Sequence, residues 1–267
     1  MKYVIIIPDG AADHPLDELG GRTPFEAANT PHTDRLSIEG RQGTVATTPP
    51  ELPCGSDVCC MSLLGYDPGK YHRGRAPLEA AAMGITLHKS DWIFRINLVT
   101  VIDGKMVDHS AGHISSDEGQ QLLVDLAKHV ELAGMTFHPG VSYRNIMVDR
   151  SGEHDWSALR STPPHDIPGE SVAKYLPVGG GKGKSEHTEI LLQLISQSSR
   201  FLADHEINRT RRELGELPAT HIWPWGQGQI PDMASFFSRY ELRGAMITAV
   251  DLLSGLAQLI GWHRLDV

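Results

Sequence analysis

Cysteine is scarce in this chain and poorly placed for a framework. The three in 267 residues, Cys54, Cys59 and Cys60, crowd one stretch with no CxxC spacing. That excludes a disulfide scaffold or a cysteine-rich zinc site, and reduced thiols in a cytoplasmic protein are expected. Long apolar runs are missing as well. The run Val4 to Ile7 is four residues and stops at Pro8-Asp9, far short of the roughly eighteen a membrane span needs. It also lacks the small-residue cleavage site of a signal peptide. Basic charge is in deficit, with 24 Lys and Arg against 33 Asp and Glu and a formal net charge of −9. General nucleic-acid binding is therefore excluded. A small anion is not, because a few arginines in one cleft outweigh a distant acidic surface.

What is present suits an α/β protein. At 267 residues the chain holds one large domain or two modest ones. "YVIIIPDG" predicts a buried strand that runs into a loop at Asp9, the continuous apolar texture of a parallel sheet covered on both faces. A helix is predicted over 24–40 after Thr23-Pro24, a second strand over "RQGTVATTP", and a helix from about Asp57. "DWIFRINLVTVIDGKMVDHS" alternates around Asp103-Gly104, a hairpin signature. An amphipathic helix over 117–133, a strand at "SYRNIMVD" and a helix over 186–203 follow, and "RGAMITAVDLLSGLAQLIG" returns to the texture of the N-terminus. The expected architecture is a sheet begun at the N-terminus, interrupted by an α+β insert, and resumed near Leu242. "GGGKGKS", residues 179–185, is one residue short of the phosphate-loop spacing and reads as a flexible loop.

Several residues carry potential chemistry. Asp9, before Gly10 at the C-terminal end of the first predicted strand, is placed either to bind a metal or to close a turn. Ser56, in "PCGSDVCC", reads as a helix N-cap. It reads equally as a hydroxyl held among free N–H donors, where a phosphoryl group is stabilised. A hydroxyl is a poor nucleophile unless a base or metal activates it. Arg75, Arg95, Asn97, His113, Arg144, His165 and Asp166 lie in the predicted insert, where each arginine is either a structural ion pair or part of an anion cleft.

These pieces, taken in order, resemble the archaeal-type cofactor-independent phosphoglycerate mutases of the alkaline phosphatase superfamily. The resemblance is carried by "IIIPDGAAD", "EAANTPHTDRL", "GSDVCCMSLLGYDP", "GRAPLEAAAMGI", "FRINLVT", "DHSAGHIS", "YRNIMV", "TPPHDIPG", "IWPWGQG" and "LRGAMITAVDLLSGLAQLIG". It implies an alkaline-phosphatase-like parallel sheet, residues 1–68 and 236–267, with an inserted substrate-binding domain over 69–235. It implies two divalent ions (manganese, zinc or magnesium), with Asp9 and Ser56 binding one of them and Ser56 as the phosphoryl-accepting nucleophile. Phosphoglycerate would be the substrate, held by His113, Arg144, His165 and Asp166, with Arg75, Arg95, Asn97 and Arg209 as further contacts. Gln229 stands where the resembled family often has a basic residue. An Asp-x-x-x-His motif, an Asp-His pair and a further histidine are also expected from the resemblance and do not follow "IGWHRLDV". The expectation is thus half of a two-metal site, inactive alone and prone to associate, with a homo-oligomer open. A phosphomonoesterase or phosphonate-related enzyme on the same scaffold, and a non-catalytic phospho-acid binding or assembly module, are the alternative readings.

Overall fold

In the computed structural model, residues 1–130, 134–179 and 186–265 are described. Four short helices precede the sheet: α1 (Pro24–Ala27), α2 (Pro31–Glu39), α3 (Ser56–Leu63) and α4 (Pro68–Tyr71). α5 (Ala76–Ala82) leads into β1 (Trp92–Ile102) and β2 (Lys105–Asp108), then α6 (Ser116–Ala127), β3 (Met135–His138) and β4 (Arg144–Asp149). α7 (Glu186–Ala203), α8 (Glu206–Glu213) and β5 (His221–Gly228) follow. The last elements are α9 (Phe236–Tyr240), β6 (Ala245–Met246), α10 (Asp251–Leu259) and β7 (His263–Arg264).

The main sheet is antiparallel, ordered β2-β1-β4-β3, with β5 also paired to β1. Asp103 and Gly104, both at positive φ (50° and 71°), turn the β1–β2 hairpin as their sequence demands. Strand alternation sorts β1 cleanly. Phe94, Ile96 and Leu98 point to a core shared with Leu122, Leu126, Leu191 and Leu194 of α6 and α7. Ile93 points the other way, with Ile146 and Val148 of β4 against Ala76 and Ala80 of α5. α5 in turn packs Leu78 against Leu256 of α10, against Ile260 at that helix's C-cap, and against Cys60 and Met61 of α3. It therefore ties the large sheet to the N- and C-terminal elements.

The α/β class holds, but its parallel part is reduced. Among the described residues the parallel pairing of named strands is that of β6 with β7. The two N-terminal strands expected from the sequence are not formed. Residues 1–8 and 41–47 have no regular structure, and Val4 and Ile6 are 82% and 81% exposed. An apolar strand buried on both faces requires ladder partners and cover, and no described strand pairs with this run. The helix expected over 24–40 is broken into α1 and α2, since Thr30 precedes Pro31 and takes a non-helical ψ of 57°. The helix expected over 117–133 ends at Ala127, and 131–133 lie outside the described residues. Most of the glycine-rich stretch 179–185 lies outside them too, and α7 starts at its end as expected.

Candidate functional site

Ser56 opens α3, but it does not cap it. Gly55 holds the cap position with extended backbone and no side-chain cap bond. The Ser56 hydroxyl is therefore left for another partner, and Oγ donates to Asp9 Oδ2 at 2.7 Å, across 47 residues of chain. The structure brings these two residues together even though the strand expected to deliver Asp9 is not formed.

Behind Ser56, Asp57 is almost fully buried. Its Oδ2 faces His72 Nε2 at 2.8 Å and Arg75 Nε at 3.5 Å. Burial raises the Asp57 carboxyl, but the His72 hydrogen bond and the Arg75 charge outweigh it and hold it below the ordinary carboxylate range. Gly55 leaves room for this packing. A Cβ there would lie 2.6 Å from Asp57 Oδ1 and 2.9 Å from an Arg75 terminal nitrogen. Arg75 thus abuts the start of α3 while also lining a cavity of about 390 Å³ on the sheet face beneath α10.

Sheet register builds the floor of that cavity. Arg95 lies directly opposite Trp225 of β5, and Asn97 lies opposite Arg144 of β4. Residues directly opposite each other share a face, so all four side chains come from the side away from α6 and α7. The Arg95 guanidinium stacks 4.0 Å from the Trp225 ring centre, an arrangement that combines cation–π attraction with planar packing. Trp225 Nε1 donates to Asn97 Oδ1 at 2.9 Å, and Asn97 Nδ2 donates to the His109 carbonyl at 3.1 Å. His165 closes one side, its ring 5.3 Å from Trp225 and 6.1 Å from His109. Tyr143 and the start of α10, including Asp251, complete the lining.

Charge in the cavity is unevenly compensated. Arg75 is paired with Asp57, and Arg95 with Glu79 at 2.8 Å. Arg144 has no carboxylate within ion-pair distance among the described residues and is exposed. It is the cavity guanidinium most available to an incoming anion. Burial pushes the Glu79 carboxyl up against the pull of Arg95. Burial also lowers His165, opposed by Asp166 and reinforced by the charges of Arg95, His109 and Arg75, so its imidazole favours the neutral form.

Of the residues singled out from the sequence, Arg75, Arg95, Asn97, Arg144 and His165 converge on this cavity. Asp166 sits beside His165 at 3.7 Å without lining it. His113 and Arg209 are both exposed and lie outside the lining. His109, four positions before His113, takes the inner place, and the backbone then turns through positive φ at Ala111, Gly112 and His113. On α8 it is Arg211 that points inward, paired with Glu118 and Glu216. Gln229 reaches only the Ser90 carbonyl at 3.5 Å. His72, Asp57, Glu79, His109, Tyr143 and Trp225 were not identified from the sequence. Trp225 could be found only from the pairing register, which sets it opposite Arg95.

Asp9 and Ser56 are two oxygen donors. Among the described residues no group of three or more His, Cys, Asp or Glu side chains comes together as a metal site. A pair of divalent ions needs more donors than these, so the described residues do not by themselves hold the two ions that the resemblance implies. No described helix is long and apolar enough to cross a membrane.

Fold and site together define a class: an α/β protein with a serine–carboxylate pair at a helix start and an arginine-lined cavity reached through Arg75. A sequence profile for "2,3-bisphosphoglycerate-independent phosphoglycerate mutase" matches residues 38–208. The chain belongs to that family. It is 45% identical over 267 residues to the 2,3-bisphosphoglycerate-independent phosphoglycerate mutase of Methanosarcina mazei, covering all of this chain and 65% of that protein. It is 43% identical over 271 residues to a probable mutase of Geobacter sulfurreducens, covering 66% of it. Among solved structures it is similar to the PH0037 protein of Pyrococcus horikoshii, with TM-score 0.73 and 26% identity, over 96% of this chain and 59% of the other. It is also similar to the cofactor-independent phosphoglycerate mutase of Thermoplasma acidophilum, with TM-score 0.61 and 27% identity, over 97% of this chain and 67% of the other. The chain thus spans just under two thirds of the length of the curated relatives it matches.

Proposed function

We propose that this chain supplies the phosphoryl-accepting serine and the substrate cleft of a phosphoglycerate mutase that interconverts 3- and 2-phosphoglycerate. One observation carries the reading: Arg75 packs against the start of α3, next to Ser56, and lines the arginine-rich cavity as well. The nucleophile and the anion cleft are therefore adjacent. In this reading residues 1–68 and 236–267 form the phosphatase-like part and 69–235 the substrate-binding insert.

The steps follow from phosphoryl-transfer chemistry. Arg144 captures the anionic substrate, and Arg95, Asn97 and the neutral His165 orient the glycerate with fixed donors. The Ser56 Oγ–P bond forms as the Oγ–H bond and the bond from phosphorus to the glycerate oxygen break, and the proton ends on that glycerate oxygen. The glycerate turns while held, and its other hydroxyl takes the phosphoryl group back from Ser56. Asp9 faces the Ser56 hydroxyl hydrogen, but a carboxylate is too weak a base to ionise an alcohol unaided. Bound divalent cations would supply the missing activation by lowering the hydroxyl pKa and neutralising phosphoryl charge. Because the described residues bring only Asp9 and Ser56 together as donors, the chain is expected to bind substrate without turning it over by itself.

Calorimetry with 3-phosphoglycerate and 31P NMR of manganese-loaded chain test the reading. Binding that weakens about tenfold in Arg144→Ala, the scale of one charged hydrogen bond, is expected. No binding by the unaltered chain overturns the substrate assignment. Formation of 2-phosphoglycerate would refute the incompleteness of the site, and release of free phosphate would favour a phosphomonoesterase.

A further inference from the structure

We propose that Glu79 is a positioning residue for anion recognition, fixing the Arg95 guanidinium in the cleft by its Nε edge; the proposal rests on the cleft being a phospho-acid site. A carboxylate lining an anion-binding cavity is at first sight a defect, since it repels the ligand. Its placement gives it another role. Glu79 projects from α5, the helix that packs on the sheet, and meets Arg95 Nε at 2.8 Å. Both side chains are largely but not fully buried, 14% and 11% exposed. Nε is the nitrogen on the inner edge of the guanidinium, and an anion that uses two parallel hydrogen bonds needs the fork held in one orientation.

Two other contacts complete the hold. The ring of Trp225 lies 4.0 Å from the centre of the guanidinium and is itself tied to Asn97 at 2.9 Å. The arginine stem runs along β5, where a Cβ on Gly226 would sit only 3.6 Å from Arg95 Cδ. Stem, face and inner edge are thus each occupied by a different element. The rotamer freedom of an arginine is removed before any ligand arrives, so less is lost on binding. Asp251 supplies the contrast. It also lines the cavity, yet it has no ion pair among the described residues, so its charge only opposes an anion.

The two carboxylates therefore respond with opposite sign. Calorimetry with 3-phosphoglycerate should show Glu79→Gln binding about tenfold more weakly although the cleft has become more positive. Asp251→Asn should bind more tightly. Glu79→Asp, which keeps the charge and shortens the reach, should not restore affinity, and thermal melts verify that each variant folds. Binding in Glu79→Gln equal to or tighter than in the unaltered chain overturns the proposal. A ligand-free readout separates it from the substrate reading. In 15N-arginine-labelled chain, a slowly exchanging Hε resonance that disappears in Arg95→Lys should also be lost in Glu79→Gln. If that resonance is indifferent to Glu79, the positioning role is refuted. If it depends on Glu79 while the unaltered chain binds no 3-phosphoglycerate, the hold on Arg95 stands and the substrate reading falls.

Discussion

Asp57 follows the candidate nucleophile directly, and its buried carboxylate faces an imidazole and a guanidinium at once. Oδ2 takes both His72 and Arg75, while Oδ1 has no hydrogen-bond partner. Removing the charge leaves Arg75 without its anchor beside Gly55. Asp57→Asn should cost about 3 kcal/mol of unfolding free energy near neutral pH, the scale for breaking a buried charge pair. The pH dependence has a definite sign. A carboxyl depressed in the folded state contributes stability that is full above its unfolded pKa and is lost as pH falls through the folded value. Urea melts should therefore show the gap between Asp57→Asn and the unaltered chain shrinking as the pH is lowered below about 4. A gap that is constant with pH would show that packing, and not charge, makes the difference. None of this was legible in "GSDV", because the partners come from 15 and 18 residues later and meet Asp57 only after the chain has passed through α4.

Helix α5 is the element on which the site depends. It carries Arg75 at its start and Glu79 within it, and it packs on the sheet on one side and on α10 on the other. The contact with α10 relies on Gly255, where an added Cβ would overlap the Leu78 carbonyl oxygen. Backbone cannot yield as a flexible side chain does. Gly255→Ala should thus push α10 off α5 and destabilise the fold by about 3 kcal/mol, the upper end for overpacking. It should also loosen the cavity wall formed by the start of α10. Thermal melts, with 3-phosphoglycerate calorimetry on the same variant, measure both effects, and a melting temperature equal to that of the unaltered chain would exclude the tight contact. Elements of this kind were legible when their signal was local. The Asp103-Gly104 hairpin, α7 and β4 formed where periodicity placed them. Elements whose signal depended on distant cover, above all the run Val4 to Ile7, did not form.

At the scale of the whole molecule, apolar surface is left open, most of all along the N-terminal run Val4 to Ile7. Val4 and Ile6 are joined by Leu36, Ile38, Val45 and Ile247 as exposed large hydrophobic residues. Exposed apolar side chains and unpaired strand backbone promote association. Sedimentation velocity should show this chain self-associating as its concentration rises, and Val4→Lys with Ile6→Lys should suppress it. A monomer at all concentrations would count against an adhesive N-terminal segment. The chain spans about 65% of the length of its Methanosarcina mazei relative.

The sequence by itself determined the family, the α/β class, the hairpin and most of the charged cavity residues. These rest on local spacing and on ordered motifs that survive without any knowledge of contacts. Tertiary structure alone decided that Ser56 donates to Asp9 and leaves the helix cap to Gly55, that His109 and not His113 turns inward, and that Glu79 grips Arg95. The physical reason is that strand register and helix packing choose which side chains face one another. Those choices are made between segments far apart in the chain, where no local pattern records them.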